Sequence, residues 1–162
     1  MPDGPVIDVR NVSFAYAAAT VLEDVSFRIE PHELICIVGP NGGGKTTLVR
    51  LLLGLLHPTR GEIRVLDTSP ERARLRIGYM PQHLNHDPQF PVTAMDIVLM
   101  GRLGRGGVCK TLGWYNRTDR QAALEALERV DMAADAKEVY STLSGGQRQR
   151  ILIARALCCQ PE

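Results

Sequence analysis

The stretch that most constrains this chain is Gly39-Pro40-Asn41-Gly42-Gly43-Gly44-Lys45-Thr46-Thr47, which fits the pattern G-x-x-x-x-G-K-[ST]. Just upstream, Leu34-Ile35-Cys36-Ile37-Val38 is a short apolar, β-branched run between Pro31 and Gly39, and it predicts a buried strand. Just downstream, Leu48, Leu51, Leu52 and Leu55 recur at helical spacing and predict a helix. Strand, glycine loop and helix together form a cradle for phosphate. The glycines let successive backbone N–H groups turn inward without Cβ clashes, and the helix N-terminus adds the positive end of its dipole. Lys45 is then expected to reach the β- and γ-phosphates of a nucleotide, and the Thr46 hydroxyl to ligate Mg²⁺. A glycine-rich turn that merely caps a helix is the bland alternative. It is set aside because so long a match is rare at an ordinary glycine usage of about 7%.

At 162 residues the chain has room for one domain with a real core, not comfortably for two. A formal net charge of +1 gives no general pull toward nucleic acid or an anionic membrane. Arg50, Gly54 and His57 interrupt the longest leucine-rich run, so no segment predicts a membrane span. Met1 to Arg10 carries Asp3, Asp8 and two prolines and does not read as a secretory signal. Cys36, Cys109, Cys158 and Cys159 show no C-x-x-C spacing, and with a nucleotide ligand they read as reduced, mostly buried thiols in a cytoplasmic protein.

Taken in order, residues 6–14 and 25–29 alternate apolar and polar and predict two antiparallel strands ahead of the glycine loop. Tyr16, in the turn between them, has two open readings: an aromatic packed on the hairpin, or a face on which adenine stacks. His57-Pro58-Thr59-Arg60-Gly61 stops the helix, Glu62 to Leu66 reads as a solvent-facing strand, and Ile77 to Met80 as a second core strand ending at Pro81-Gln82. Arg72, Arg74 and Arg76 read as a solvated face. His83, His86 and Asp87 have ligand chemistry, but no helix or partner spacing completes a tetrahedral metal site, so that reading is disfavoured. Thr93 caps a helix over 94–100, Gly101 to Gly113 reads as a flexible basic surface loop, and Trp114-Tyr115 as local packing or a partner anchor. Thr118 and Gln121 predict a capping box, followed by an apolar stripe at Ala123, Leu124, Leu127 and Val130.

A second motif, Leu143-Ser144-Gly145-Gly146-Gln147, opens an amphipathic helix through a capping box between Ser144 and Gln147. A cap alone does not need two adjacent glycines, each costing helix propensity of about 1 kcal/mol relative to alanine. What they provide is bare backbone N–H groups at a helix N-terminus, a second place for an anion.

These residues closely resemble the nucleotide-binding subunit of ABC transporters, from about Val6 to the last residue. The loop from Gly39 to Thr47 looks like the family's Walker A loop, and Leu143 to Gln147 is identical to its signature. The resemblance implies an α/β P-loop core with an antiparallel β-subdomain (1–30), a P-loop core running to the Q-loop (31–85), a helical subdomain (86–142) and the signature motif with its helix (143–162). It places Tyr16 where adenine stacks, and Gln82 where the Q-loop glutamine contacts Mg²⁺ and the attacking water. ATP, Mg²⁺, a second copy packed head-to-tail, transmembrane permease subunits and, indirectly, a solute-binding protein are the implied ligands and partners, at the inner face of the plasma membrane. Each ATP would lie between one copy's Walker A loop and the other's Ser144 to Gln147. Residues 90–102 are similar to members that drive zinc or manganese uptake, with iron-chelate importers the nearest competitor. A soluble, non-transport member of the family and a non-catalytic remnant stay open beside these. The family also has an Asp-Glu strand end and a switch histidine after the signature. Here all four histidines precede it and the sequence stops at Gln160-Pro161-Glu162, so the expectation is a cassette truncated before that strand, binding ATP without a complete hydrolytic site.

Overall fold

Alternation of apolar and polar residues builds the first part of the chain. In the computed structural model, which describes residues 4–81, 91–104 and 114–162, strand β1 (Ile7–Tyr16) pairs antiparallel with β2 (Ala19–Ile29) around a tight Ala17-Ala18 turn. Strand β3 (Arg60–Val65) pairs antiparallel on the other side of β1, giving the order β2-β1-β3. The β1–β2 register slips near Asn11 and Asp24, both at positive φ, and side chains take over the lost ladder bonds. The Asn11 N–H donates to Ser26 Oγ at 2.8 Å, and the Asp24 N–H to Ser13 Oγ at 3.0 Å. One face of the sheet buries Val9, Val12, Phe14, Ile63 and Val65. Helix α1 (Lys45–Leu52) lies by β3 and buries Leu51 completely. Leu55, expected on the helix stripe, falls past the helix end and is exposed. A short helix, α2 (Pro70–Ala73), closes this unit, which spans Met1–Arg74.

The second unit, Leu75–Glu162, is helical. Helices α3 (Ala94–Leu99), α4 (Arg117–Glu128) and α5 (Gly145–Cys158) pack on one another around Ile97, Val98, Leu99, Ala123, Leu127, Met132, Ile151 and Leu152. The Thr93 cap is real: its hydroxyl accepts from the Asp96 N–H at 3.2 Å while the Asp96 carboxylate accepts from the Thr93 N–H. The cap of α4 is Asn116 with Asp119, not Thr118 with Gln121. Asn is the stronger N-cap, and Asp119 is anchored from another element, whereas Gln121 turns to Glu125.

Two expected core strands do not form ladders. Residues 34–38 carry no regular secondary structure, with Leu34 99% exposed, and residues 77–80 likewise, with Tyr79 and Met80 exposed. A parallel strand is stable only with hydrogen-bonding neighbours and covered faces, and among the described residues nothing pairs with either segment. Cys36 is therefore exposed, contrary to the buried reading, while Cys158 and Cys159 are buried.

Candidate functional site

The glycine loop is shaped by its backbone. Gly42 and Gly44 both stand in the left-handed region, at φ 80 and 79. Gly44 is the N-cap of α1, and a Cβ there would come within 2.8 Å of Leu22 Cδ2 and 3.1 Å of the Val21 carbonyl. Two constraints thus select glycine at this one position, and they show β2 bracing the loop. The Gly43 N–H donates to the Pro40 carbonyl at 3.1 Å, drawing the loop round on itself. The Lys45 ammonium folds back over the loop and donates to the carbonyls of Gly39 (2.8 Å) and Pro40 (2.7 Å). Thr46 is exposed in the first turn of α1, so its hydroxyl is accessible to a cation held beside a phosphate; Thr47 is buried. Asn41, Gly42 and Gly43 are exposed, leaving their backbone open to an anion.

Tyr16 ends β1, packs edge-on against Phe14 with ring centroids 4.8 Å apart, and remains 44% exposed. Both readings of Tyr16 are compatible with this: the ring packs against Phe14, and its exposed surface is left to receive another flat ring. Gln82 lies outside the described residues, as do His83, His86 and Asp87. Among the described residues no group of three or more His, Cys, Asp and Glu side chains converges on a metal site.

In the second unit, Ser144 caps α5 with an extended backbone. Its hydroxyl accepts from the Gln147 N–H at 3.3 Å, and the Gln147 side chain accepts from the Ser144 N–H at 2.9 Å. Leu143 is buried and pins the approach to the cap. A Cβ added at Gly145 or Gly146 would meet nothing within 4 Å. Neither glycine has positive φ, so packing among the described residues and backbone geometry both leave these glycines unexplained. The bare helix start is left open to an outside group. Behind the cap, Tyr140 is buried, which pushes its phenol pKa up, and Arg155 is half-buried, which lowers its guanidinium pKa.

The structure also corrects the reading of residues 101–113 as a solvated loop, of which 105–113 lie outside the described residues. Arg102 is nearly buried and ion-paired to Asp119, itself fully buried. Sequence reasoning missed this pair. Trp114 is 75% exposed, so it does not pack locally, whereas Tyr115 is half-buried against the helical core, with its phenol pKa raised by that burial.

Comparison with known proteins gives a consistent picture. The ABC transporter family model matches residues 22–162. Among the relatives, a probable metal transport system ATP-binding protein of Chlamydia trachomatis is 45% identical over 95% of this chain and 64% of its own. The manganese transport system ATP-binding protein MntB of Bacillus subtilis is 43% identical over 94% of this chain and 60% of its own. The zinc transport system ATP-binding protein TroB of Treponema pallidum is 41% identical over 93% and 56%. The chain thus spans less than two thirds of the length of these relatives. Among solved structures, a candidate metal-chelate type ABC transporter in an inward-facing conformation superposes with a TM-score of 0.79 at 32% identity, over 97% of this chain and 57% of that one. A nucleotide-free ATP-binding cassette superposes with a TM-score of 0.81 at 23% identity, over 97% and 66%, a likeness of fold alone.

Proposed function

The chain belongs to the ABC transporter family, and on that premise we propose that it forms part of the ATP-binding subunit of a divalent-metal importer, taking up manganese or zinc. In this reading residues 39–47 hold the triphosphate, with Lys45 leaving its loop carbonyls to meet the β- and γ-phosphates and Thr46 offering its hydroxyl to Mg²⁺. Mg²⁺ bound there would supply charge neutralisation to the phosphates. Tyr16 stacks on adenine. Ser144 to Gln147 receives the γ-phosphate of an ATP held by a second copy, so each nucleotide is shared between two chains related by a two-fold axis. Gln82 acts as the Q-loop glutamine, linking the nucleotide to the permease. The complex works at the inner face of the plasma membrane, fed by a solute-binding protein, and ATP binding and hydrolysis drive the permease.

The observation that carries the shared-site reading is the open space around Gly145 and Gly146, which no contact among the described residues explains. The metal reading rests on the relatives, whose transport systems are for metal, manganese and zinc. Likeness to a metal-chelate type transporter supports a chelate importer as the second reading.

Two measurements test these. Titration of the chain with a fluorescent ATP analogue and Mg²⁺ is expected to show saturable binding that Lys45→Ala weakens about a hundredfold, the loss of a charge-assisted phosphate contact. Equal binding by the variant would sink the phosphate role of the loop. In cells, the same substitution at the native locus is expected to abolish uptake of radiolabelled manganese or zinc. If only uptake of an iron chelate falls, the chelate reading replaces the metal-ion one.

A further inference from the structure

Immediately after α3 the chain makes a single 3-10 turn, Met100–Arg102, and this turn grips the far end of the signature helix. A Cβ at Gly101 would sit 2.3 Å from the Arg155 carbonyl oxygen, so the turn approaches α5 more closely than a side chain permits. The next residue extends the grip. Arg102 Nε donates to Asp119 Oδ1 at 3.1 Å, while its Nη1 donates to the Cys158 carbonyl at 3.3 Å and to Gln160 Oε1 at 3.1 Å. Asp119 in turn accepts the Asn116 N–H at 3.2 Å and so belongs to the N-terminal cap of α4. One planar guanidinium therefore ties the start of α4 to the end of α5, where helix carbonyls lack partners and the dipole is negative.

From this geometry we infer that Arg102 is a positioning residue for the signature motif: it sets the slide and tilt of α5, and through them the place of Ser144 to Gln147. The inference rests on the proposal that this motif receives the nucleotide of a second copy. A buried ion pair is weak evidence for stability, since an apolar pair of the same volume holds a fold as well. What an apolar pair lacks is a fork directed at three acceptors, one on α4, one at the last residue of α5 and one just past it. Helix α5 is rigid and its 14 residues place Ser144 roughly 20 Å from the clamp. At that length a tilt of about 3° moves the motif by about 1 Å, and a displacement of that size costs about a hundredfold where geometry is critical.

The test separates the two sites a nucleotide meets. Arg102→Lys keeps the charge opposite Asp119 but cannot span all three acceptors. Binding of a fluorescent ATP analogue reports the Lys45 loop, and ATP-driven self-association, followed by sedimentation, reports the signature. In Arg102→Lys the first is expected to stay within about twofold and the second to weaken about tenfold or more. Because this variant leaves a buried pair imperfect, a second one, Arg102→Gln with Asp119→Asn, removes both charges together and is expected to fold and give the same split. Self-association at the wild-type level in either folded variant overturns the inference. Parallel loss of both readouts overturns it too, because the clamp then serves the whole unit. A wild-type chain that binds ATP without self-associating removes the shared-site proposal, and this inference with it.

Discussion

Replacing Gly145 and Gly146 by alanine should make the protein more stable and less able to assemble. Both glycines lie in the first turn of α5 with no positive φ, and an added methyl at either meets nothing within 4 Å. No steric cost opposes the substitution, and the gain comes mainly from narrowing the unfolded chain. Each change is worth about 0.4–1 kcal/mol, so the pair should raise stability by about 1–2 kcal/mol. For a chain of 162 residues each kcal/mol is about 2–4 °C, so the midpoint should rise by about 2–8 °C. Urea unfolding gives the free energy and calorimetry the midpoint. In the same samples ATP-driven self-association should fall about tenfold or more, because in the proposed shared site two methyl groups would stand where a phosphate approaches bare N–H groups. The refuting outcome is the stabilised double variant associating as the wild type does, for then the glycines serve no ligand. A drop in stability would refute the packing side of the same reasoning.

Gly44→Ala should behave in the opposite way, since φ is 79 and the new methyl would lie 2.8 Å from Leu22 Cδ2; a loss of about 1–3 kcal/mol in urea unfolding is expected, with nucleotide binding impaired. Asp8 is buried among guanidinium groups, and its hydrogen bond from Arg10 above all, aided by Arg28, holds its carboxyl below the ordinary value of 3.8. Its contribution to stability is therefore fully present above that value and disappears as the pH falls through the lower folded-state pKa. Asp8→Asn should destabilise the chain near neutral pH and converge on the wild type in acid, followed by unfolding midpoints across the range; a difference independent of pH would show that Asp8 acts by packing alone.

What could be read from the residues alone was whatever depends on a few neighbours along the chain. The glycine loop, the Thr93 cap and the Ser144–Gln147 capping box are local hydrogen-bond and dihedral arrangements, and they stand where the spacing puts them. The hairpin was legible for the same reason, because alternation marks which face of each strand is buried. Residues 34–38 and 77–80 were not, because an apolar run becomes a strand only when other strands pair with it, a fact about distant sequence. Asn116 against Thr118 was a near-tie in local preference, settled by Asp119 being held from another element. Arg102 read as one more charge in a glycine-rich loop, and only the packing of α3, α4 and α5 makes it a buried clamp. Likewise, composition and spacing picked out Gly145 and Gly146 as costly for a helix, but the empty space around them is a property of the folded surface. The sequence by itself determined where the glycine loop and the capped helix starts are made, since those arrangements are local; the tertiary structure alone decided what braces them and what stays exposed, since burial is set by residues far apart in the chain.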